Sequence, residues 1–92
     1  MMVITNKAMA GTVESSDCMV YVEPGTATEI EVESVVKEQF GAAIEKAVQE
    51  IVTELQVNQV KIFVKDRGAL DCIIKARVET ALKRAAKGGA SQ

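Results

Sequence analysis

The chain has 92 residues, of which 48% are hydrophobic and 26% are charged, and its net charge is −2. This length predicts one domain, and the composition is typical of a globular fold rather than a disordered segment. A mildly acidic chain with one Tyr, two Phe and no Trp is a poor candidate for binding nucleic acid. The sequence shows no signal peptide and no apolar run of membrane-spanning length, so we expect a cytoplasmic protein with no membrane partner.

The residue types also limit the chemistry. The chain contains no histidine, and its two cysteines, Cys18 and Cys72, form no CxxC pair. We therefore expect no bound metal. In a reducing cytoplasm both cysteines stay thiols, and the commonest role of each is that of a small buried hydrophobic residue.

Three strands are predicted in the first part of the chain. Residues 13–23 have the composition of strands on either side of a polar turn at 15–17, where serine and aspartate side chains can bond the nearby backbone. Pro24 and Gly25 mark a second turn. Residues 29–33 then alternate between glutamate and apolar residues, which predicts a strand with one solvated face.

Two amphipathic helices and a further strand complete the prediction. Ser34 is a candidate N-cap for the first helix. The apolar positions of this helix share one face: Val36, Phe40, Ala43, Ile44, Ala47, Val48, Ile51, Val52 and Leu55. Residues 60–65 alternate as a strand, residues 66–68 form a turn, and a second helix is expected from about Ala69. Its apolar stripe comprises Leu70, Ile73, Ile74, Val78, Ala81, Leu82 and Ala85.

The order β-β-β-α-β-α predicts an α+β fold, a two-layer sandwich with both helices on one face of a small sheet. We expect one domain over residues 1–87, followed by a frayed tail over residues 88–92.

Ser15 and Ser16 lie at the tip of the first predicted turn, between Glu14 and Asp17. A serine hydroxyl is a weak nucleophile without a positioned base, and the chain has neither a histidine nor a G-x-S-x-G motif. Intrinsic catalysis is therefore disfavoured. An exposed serine at such a tip is suited to receive a covalent group from another enzyme, although an ordinary turn serine has the same pattern.

The turn at 66–71 is the other candidate site. Backbone N–H groups at a helix start can bind an anion. The favoured interpretation is a strand-to-helix turn that needs Gly68 for its backbone geometry.

Three blocks of the sequence resemble the acyl carrier (gamma) subunit of citrate lyase. They are AGTVESSD at 10–17, VKEQFG at 36–41 and DRGALDC at 66–72, in the family's order. The resemblance implies that Ser15, which follows the glutamate of the G-T-x-E-S motif, carries the prosthetic group through a phosphodiester. This group derives from 2'-(5''-triphosphoribosyl)-3'-dephospho-CoA. Ser16 is implied to be a turn residue, and Glu14 and Asp17 are candidates for recognition by the enzyme that attaches the group.

The resemblance further implies a carrier subunit without catalytic activity of its own. The prosthetic group is implied to act as a flexible arm, which carries acetyl and citryl thioesters while citrate is cleaved to acetate and oxaloacetate. The implied partners are the alpha (acyl transferase) and beta (lyase) subunits of citrate lyase and the holo-citrate lyase synthase. Two alternatives stay open: the carrier of citramalate lyase or malonate decarboxylase, and an unmodified ligand-binding or assembly module.

Overall fold

The structure, a computed structural model, describes residues 2–35 and 37–86. Its elements are β1 (Ala8–Gly11), β2 (Cys18–Pro24), β3 (Glu29–Ser34), α1 (Lys37–Glu54), β4 (Val60–Asp66) and α2 (Asp71–Ala85). This order confirms the predicted α+β fold. The predicted tail at 88–92 lies outside the described residues.

The four strands form one sheet in the order β1-β2-β4-β3. Strand β2 is antiparallel to both β1 and β4, whereas β3 is parallel to β4. A parallel pair needs a crossover connection, which α1 supplies. The register places Cys18 and Ser34 on either side of Asp66, and Gly11 ends β1 beside them. We call this edge of the sheet the serine end, because the loop that carries Ser15 joins Gly11 to Cys18.

One face of the sheet forms the core. The row Ala10, Val20, Val64 and Val32 crosses all four strands in register, and each of these side chains is buried. Helix α2 packs on β1 and β2, and α1 packs on β3 and on α2. The neighbouring row of Met9, Tyr21, Phe63 and Glu31 lies on the opposite face, where Met9 is 51% exposed. Both helices therefore cover the same face, as predicted.

The predicted helix stripes are correct at their centres. The buried residues of α1 are Ile44, Ala47, Val48, Ile51 and Val52, and those of α2 are Ile74, Val78, Ala81, Leu82 and Ala85. Towards the serine end the stripes are wrong, because Phe40 is 51% exposed, Leu70 is 71% exposed and Ala43 is exposed as well. Val36, also assigned to the stripe of α1, lies outside the described residues.

Two element boundaries also differ from the prediction. Val13 lies in a loop, because the first strand ends at Gly11. Ser34, predicted to cap α1, is the last residue of β3, and its hydroxyl donates to the Asp66 carboxylate at 2.7 Å.

The two cysteines have different surroundings. Cys18 is fully buried in the core, which confirms the expectation for that residue. Cys72 is exposed in the first turn of α2, so the expectation is wrong there. Across the described ranges, no helix has the length and apolar character needed to cross a membrane.

Candidate attachment site

Ser15 lies in a tight turn between β1 and β2. The backbone N–H of Asp17 donates to the carbonyl of Glu14 at 3.2 Å, and Ser16 has φ +65°. A positive φ at the third residue alone is typical of a type II turn. Ser15 is therefore the second residue of the turn, and its side chain is exposed. Within the part of the chain that the structure describes, its hydroxyl has no hydrogen-bond partner.

A β-bulge joins this turn to the end of β4. The N–H of Ser16 donates to the carbonyl of Arg67 at 2.8 Å, and the N–H of Arg67 donates to the carbonyl of Asp17 at 2.9 Å. Ser16 and Asp17 thus both oppose Arg67, and Ser16, the first of the two, has the left-handed conformation. This arrangement normally uses glycine at that position. Ser16 is thus a turn residue with a structural role, distinct from that of Ser15.

The Asp17 carboxylate holds the loop together from inside. It accepts hydrogen bonds from the Thr12 hydroxyl at 2.8 Å and from the Cys18 N–H at 2.7 Å. The Arg77 guanidinium of α2 donates twice, from Nε at 3.1 Å and from Nη2 at 2.8 Å. The Thr12 hydroxyl in turn accepts from the N–H of Glu14 at 3.2 Å. The loop of residues 12–17, which we call the serine loop, is therefore attached to α2 through a bidentate ion pair.

This pair also sets the charge of Asp17. The hydrogen bonds from Arg77, with smaller contributions from Thr12 and the Cys18 N–H, lower the pKa of Asp17 from 3.8 to about 2, although its burial acts in the opposite direction. A carboxylate with so low a pKa is a poor general base near neutral pH. Asp17 is thus suited to hold the loop and unsuited to activate the Ser15 hydroxyl.

A second carboxylate organises the neighbouring loop. The Asp66 side chain is 1% exposed and accepts from the Ser34 hydroxyl, from the Gly68 N–H at 3.1 Å and from the Ala69 N–H at 2.9 Å. Gly68 has φ +95°. The N–H groups of Gly68 and Ala69 are therefore bonded to Asp66, and the positive φ of Gly68 supports the interpretation of this segment as a strand-to-helix turn.

Gly11 is the position where the loop leaves β1. Its φ is +108°, and a Cβ there would overlap the carbonyl oxygen of Cys18 and lie 3.3 Å from Cδ of Arg77. The aliphatic part of Arg77 thus passes over a residue without a side chain. Glycine permits both the sharp exit from the strand and the approach of Arg77 to Asp17.

The residues named from the sequence have unequal surroundings. Glu14 and Ser15 are exposed, whereas the Asp17 side chain is only 16% exposed. Recognition of Glu14 and Asp17 by the attaching enzyme stays a prediction. Sequence reasoning missed Arg77 and Asp66 as supports of the site. The D-x-G pattern at 66–68, which is typical of aspartate–backbone turns, was the available signal for Asp66.

Comparison with known proteins shows similarity to acyl carrier proteins over most of the chain. Residues 5–85 match the family model described as ACP, malonate decarboxylase delta subunit (MdcD). The citrate lyase acyl carrier protein of Treponema denticola is 50% identical over 84 residues, which are 91% of this chain and 97% of the relative. That of Klebsiella pneumoniae subsp. pneumoniae is 49% identical over 87% of this chain and 84% of its own length.

A solved structure shares the fold. A chain of the Pseudomonas malonate decarboxylase hetero-tetramer, crystallised in complex with malonate, aligns with a TM-score of 0.71 over 92% of both chains at 22% identity. The high identity to the two curated relatives, over nearly the whole chain, confirms the resemblance seen in the three sequence blocks. The chain therefore belongs to the citrate lyase acyl carrier protein family.

Proposed function

We propose that this chain is the acyl carrier subunit of a citrate lyase and that its prosthetic group is attached to Ser15. The observation that carries the proposal is the state of the Ser15 hydroxyl, which is exposed and without a partner among the described residues. Ser16 is exposed as well, but its left-handed conformation gives it a role in the turn, and the G-T-x-E-S resemblance selects Ser15. The neighbouring Thr12 hydroxyl and Asp17 carboxylate are both bonded within the domain. A primary alcohol presented in this way fits the phosphodiester linkage that the resemblance implies.

Attachment is a group transfer carried out by a second enzyme, the holo-citrate lyase synthase. The Ser15 Oγ forms a bond to the α-phosphorus of the donor's triphosphate, the one attached to the ribose, and the bond from this phosphorus to the departing pyrophosphate breaks. The hydroxyl proton passes to a base of that enzyme or to water. When bound, the group supplies a terminal thiol that carries acetyl and citryl residues as thioesters.

The domain supplies a fixed anchor for this flexible arm. The Asp17–Arg77 ion pair, the bulge with Arg67 and the left-handed Ser16 each restrict the turn that holds Ser15. A flexible tether on a fixed point converts delivery between two active sites into an intramolecular event. We infer that the arm visits an acyl transferase (alpha) and a lyase (beta) subunit of one cytoplasmic complex, while the carrier itself catalyses no step.

The experiment is intact mass analysis of the carrier produced together with its host's attaching enzyme. We expect a mass increase equal to the phosphoribosyl-dephospho-CoA group in the wild type and in Ser16→Ala, and its absence in Ser15→Ala. An unmodified wild-type chain inside a complex that cleaves citrate contradicts the proposal.

A carrier for malonate decarboxylase is the second candidate, favoured by the description of the matching family model. The two carriers differ in the substrate of their partner subunits. Reconstitution of the loaded chain with the subunits encoded beside it separates them, because a citrate lyase releases oxaloacetate from citrate and a decarboxylase releases carbon dioxide from malonate.

A further inference from the structure

Large apolar side chains are exposed around the serine end. Among the described residues seven such side chains are exposed, and four of them lie at this end. These four, which we call the apolar rim, are Val13 (46% exposed), Val35 (66%), Phe40 (51%) and Leu70 (71%). Single exposed apolar residues are ordinary, whereas several around one point are typical of an interaction site.

The backbone brings the rim residues to the same edge as Ser15. Val13 is part of the serine loop itself. The N–H of Val35 donates to the carbonyl of Asp66 at 3.4 Å, and Leu70 follows Ala69, whose N–H donates to the Asp66 carboxylate. Phe40 lies in the first turn of α1, the helix that begins directly after this end of β3.

Leu70 has no role in stability that the fold explains. It is the N-cap residue of α2, with φ −73° and ψ 160°, and no side-chain hydrogen bond caps the helix. Leucine is among the least favourable N-caps, since it cannot accept a bond from the first N–H groups. With 71% of its surface exposed, it also gains little from burial. A residue that breaks a local rule without compensation indicates a functional constraint.

Phe40 repeats this pattern on α1. It precedes the buried Ile44 by one helical turn and so lies on the same stripe, yet half of its surface is exposed at the end of the sheet. An exposed aromatic ring is the kind of side chain that anchors protein interfaces.

Charged residues also lie at the serine end, and they divide into bonded and unpaired groups. The carboxylates of Asp17 and Asp66 are both bonded within the domain. Arg67 and Glu14 are exposed, and neither forms an ion pair with another residue in the described ranges. Asp71, next to Leu70, is exposed as well. A partner at this end therefore meets the four apolar side chains together with these exposed charges.

We propose that the apolar rim is the docking surface for the enzyme that attaches the prosthetic group. The inference rests on the proposed function of Ser15. Attachment makes a bond at the Ser15 Oγ, so the active site of that enzyme has to close around the serine end. The acyl transferase and lyase subunits instead make and break bonds at the thiol at the far end of the arm.

The test measures the rate at which the attaching enzyme loads the purified full-length apo carrier, followed by intact mass with the triphosphoribosyl-dephospho-CoA donor. Leu70→Ser and Phe40→Ser are compared with Val3→Ser and Met9→Ser. Met9 matches Phe40 at 51% exposure but lies on the uncovered sheet face, and Val3, at 61%, adjoins Ile4, which pairs with Ala86 beyond the end of α2.

We expect each rim variant to lower kcat/KM for loading by about tenfold, chiefly through KM, as for a central interface residue. The Val3 and Met9 variants stay within about twofold of the wild type, because they lie outside the surface. The melting temperature of Leu70→Ser is unchanged or higher, since serine can cap α2. Phe40→Ser provides an independent measurement if one variant folds poorly.

Loading of both rim variants at the wild-type rate overturns the proposal. The proposal is also overturned if the rim variants are loaded at the normal rate but, once loaded, slow citrate cleavage. In that case the protein that docks on the apolar rim is a catalytic subunit. Failure of the wild type to be loaded at Ser15 contradicts the proposed function itself and is seen before any rim variant is tested.

Discussion

Replacement of Asp17 by Asn tests the structural account of the serine loop. The substitution keeps the shape of the side chain and removes its charge. Asn also has one acceptor oxygen in place of two, so it cannot receive both bonds that Arg77 donates. The loop is therefore expected to lose its link to α2 while the hydrophobic core stays unchanged.

The expected loss of stability in Asp17→Asn follows from the pKa of Asp17. A fall from 3.8 to about 2 corresponds to roughly 2.5 kcal/mol if the pair were shielded from water. Because the Arg77 side chain is 38% exposed, solvent screening reduces the effect. We expect Asp17→Asn to lower the free energy of unfolding at pH 7 by about 1 kcal/mol.

The lowered pKa of Asp17 also determines how its contribution to stability changes with pH. The folded-state pKa of Asp17 lies below its unfolded value, so its contribution to stability is present above about pH 4 and is lost as the pH falls towards 2. Urea unfolding of the wild type and of Asp17→Asn is measured at several pH values in this window. The difference between the two proteins should shrink on acidification, because Asp17 of the wild type becomes protonated. The other carboxylates titrate in both proteins, so their effects cancel in the difference. Equal stability at pH 7, or a difference that does not change with pH, refutes the reasoning.

Three other predictions concern stability and reactivity. Ser16→Gly should raise the free energy of unfolding by about 0.5 kcal/mol in urea titration, because relief of a left-handed serine exceeds the entropy that glycine adds to the unfolded chain; a loss of stability contradicts this. Gly11→Ala should lower the free energy of unfolding by more than about 2 kcal/mol and Gly68→Ala by about 1 kcal/mol, since both residues have positive φ but only Gly11 lacks space for a Cβ. A larger loss of stability in Gly68→Ala than in Gly11→Ala contradicts this. In the native protein a maleimide should modify Cys72 and spare Cys18, which is buried and whose pKa burial raises to about 11; equal labelling rates before unfolding contradict the structure.

Periodic patterns identified those elements whose residues pack locally. The apolar spacing from Ile44 to Val52 places one face of α1 on the core, and the glutamate alternation in β3 leaves its charged side in water. Phe40 and Leu70 continue the same spacing but lie where the sheet ends. Periodicity indicates which side of a helix a residue is on, and it does not indicate whether another element covers that side.

The site itself depends on contacts between distant parts of the chain. Ser15 was identified from its local sequence and the family resemblance. The supports of its turn are Arg77 in α2 and the carbonyl of Arg67, which approach the loop only when the sheet and helix have formed. Local sequence contains no information about such pairs, so the enclosure of the Asp17 side chain beside Arg77 is not predictable from it.

The central claim, attachment of the arm at Ser15, is tested most directly by fragmentation mass spectrometry of the carrier isolated from an active complex. Trypsin cleavage after Lys7 and Lys37 gives a peptide that contains both Ser15 and Ser16, and fragmentation between them assigns the modified residue. The account predicts the phosphoribosyl-dephospho-CoA mass on Ser15, with Ser16 unmodified. The same mass on Ser16, or an active complex whose carrier peptide is unmodified, contradicts it.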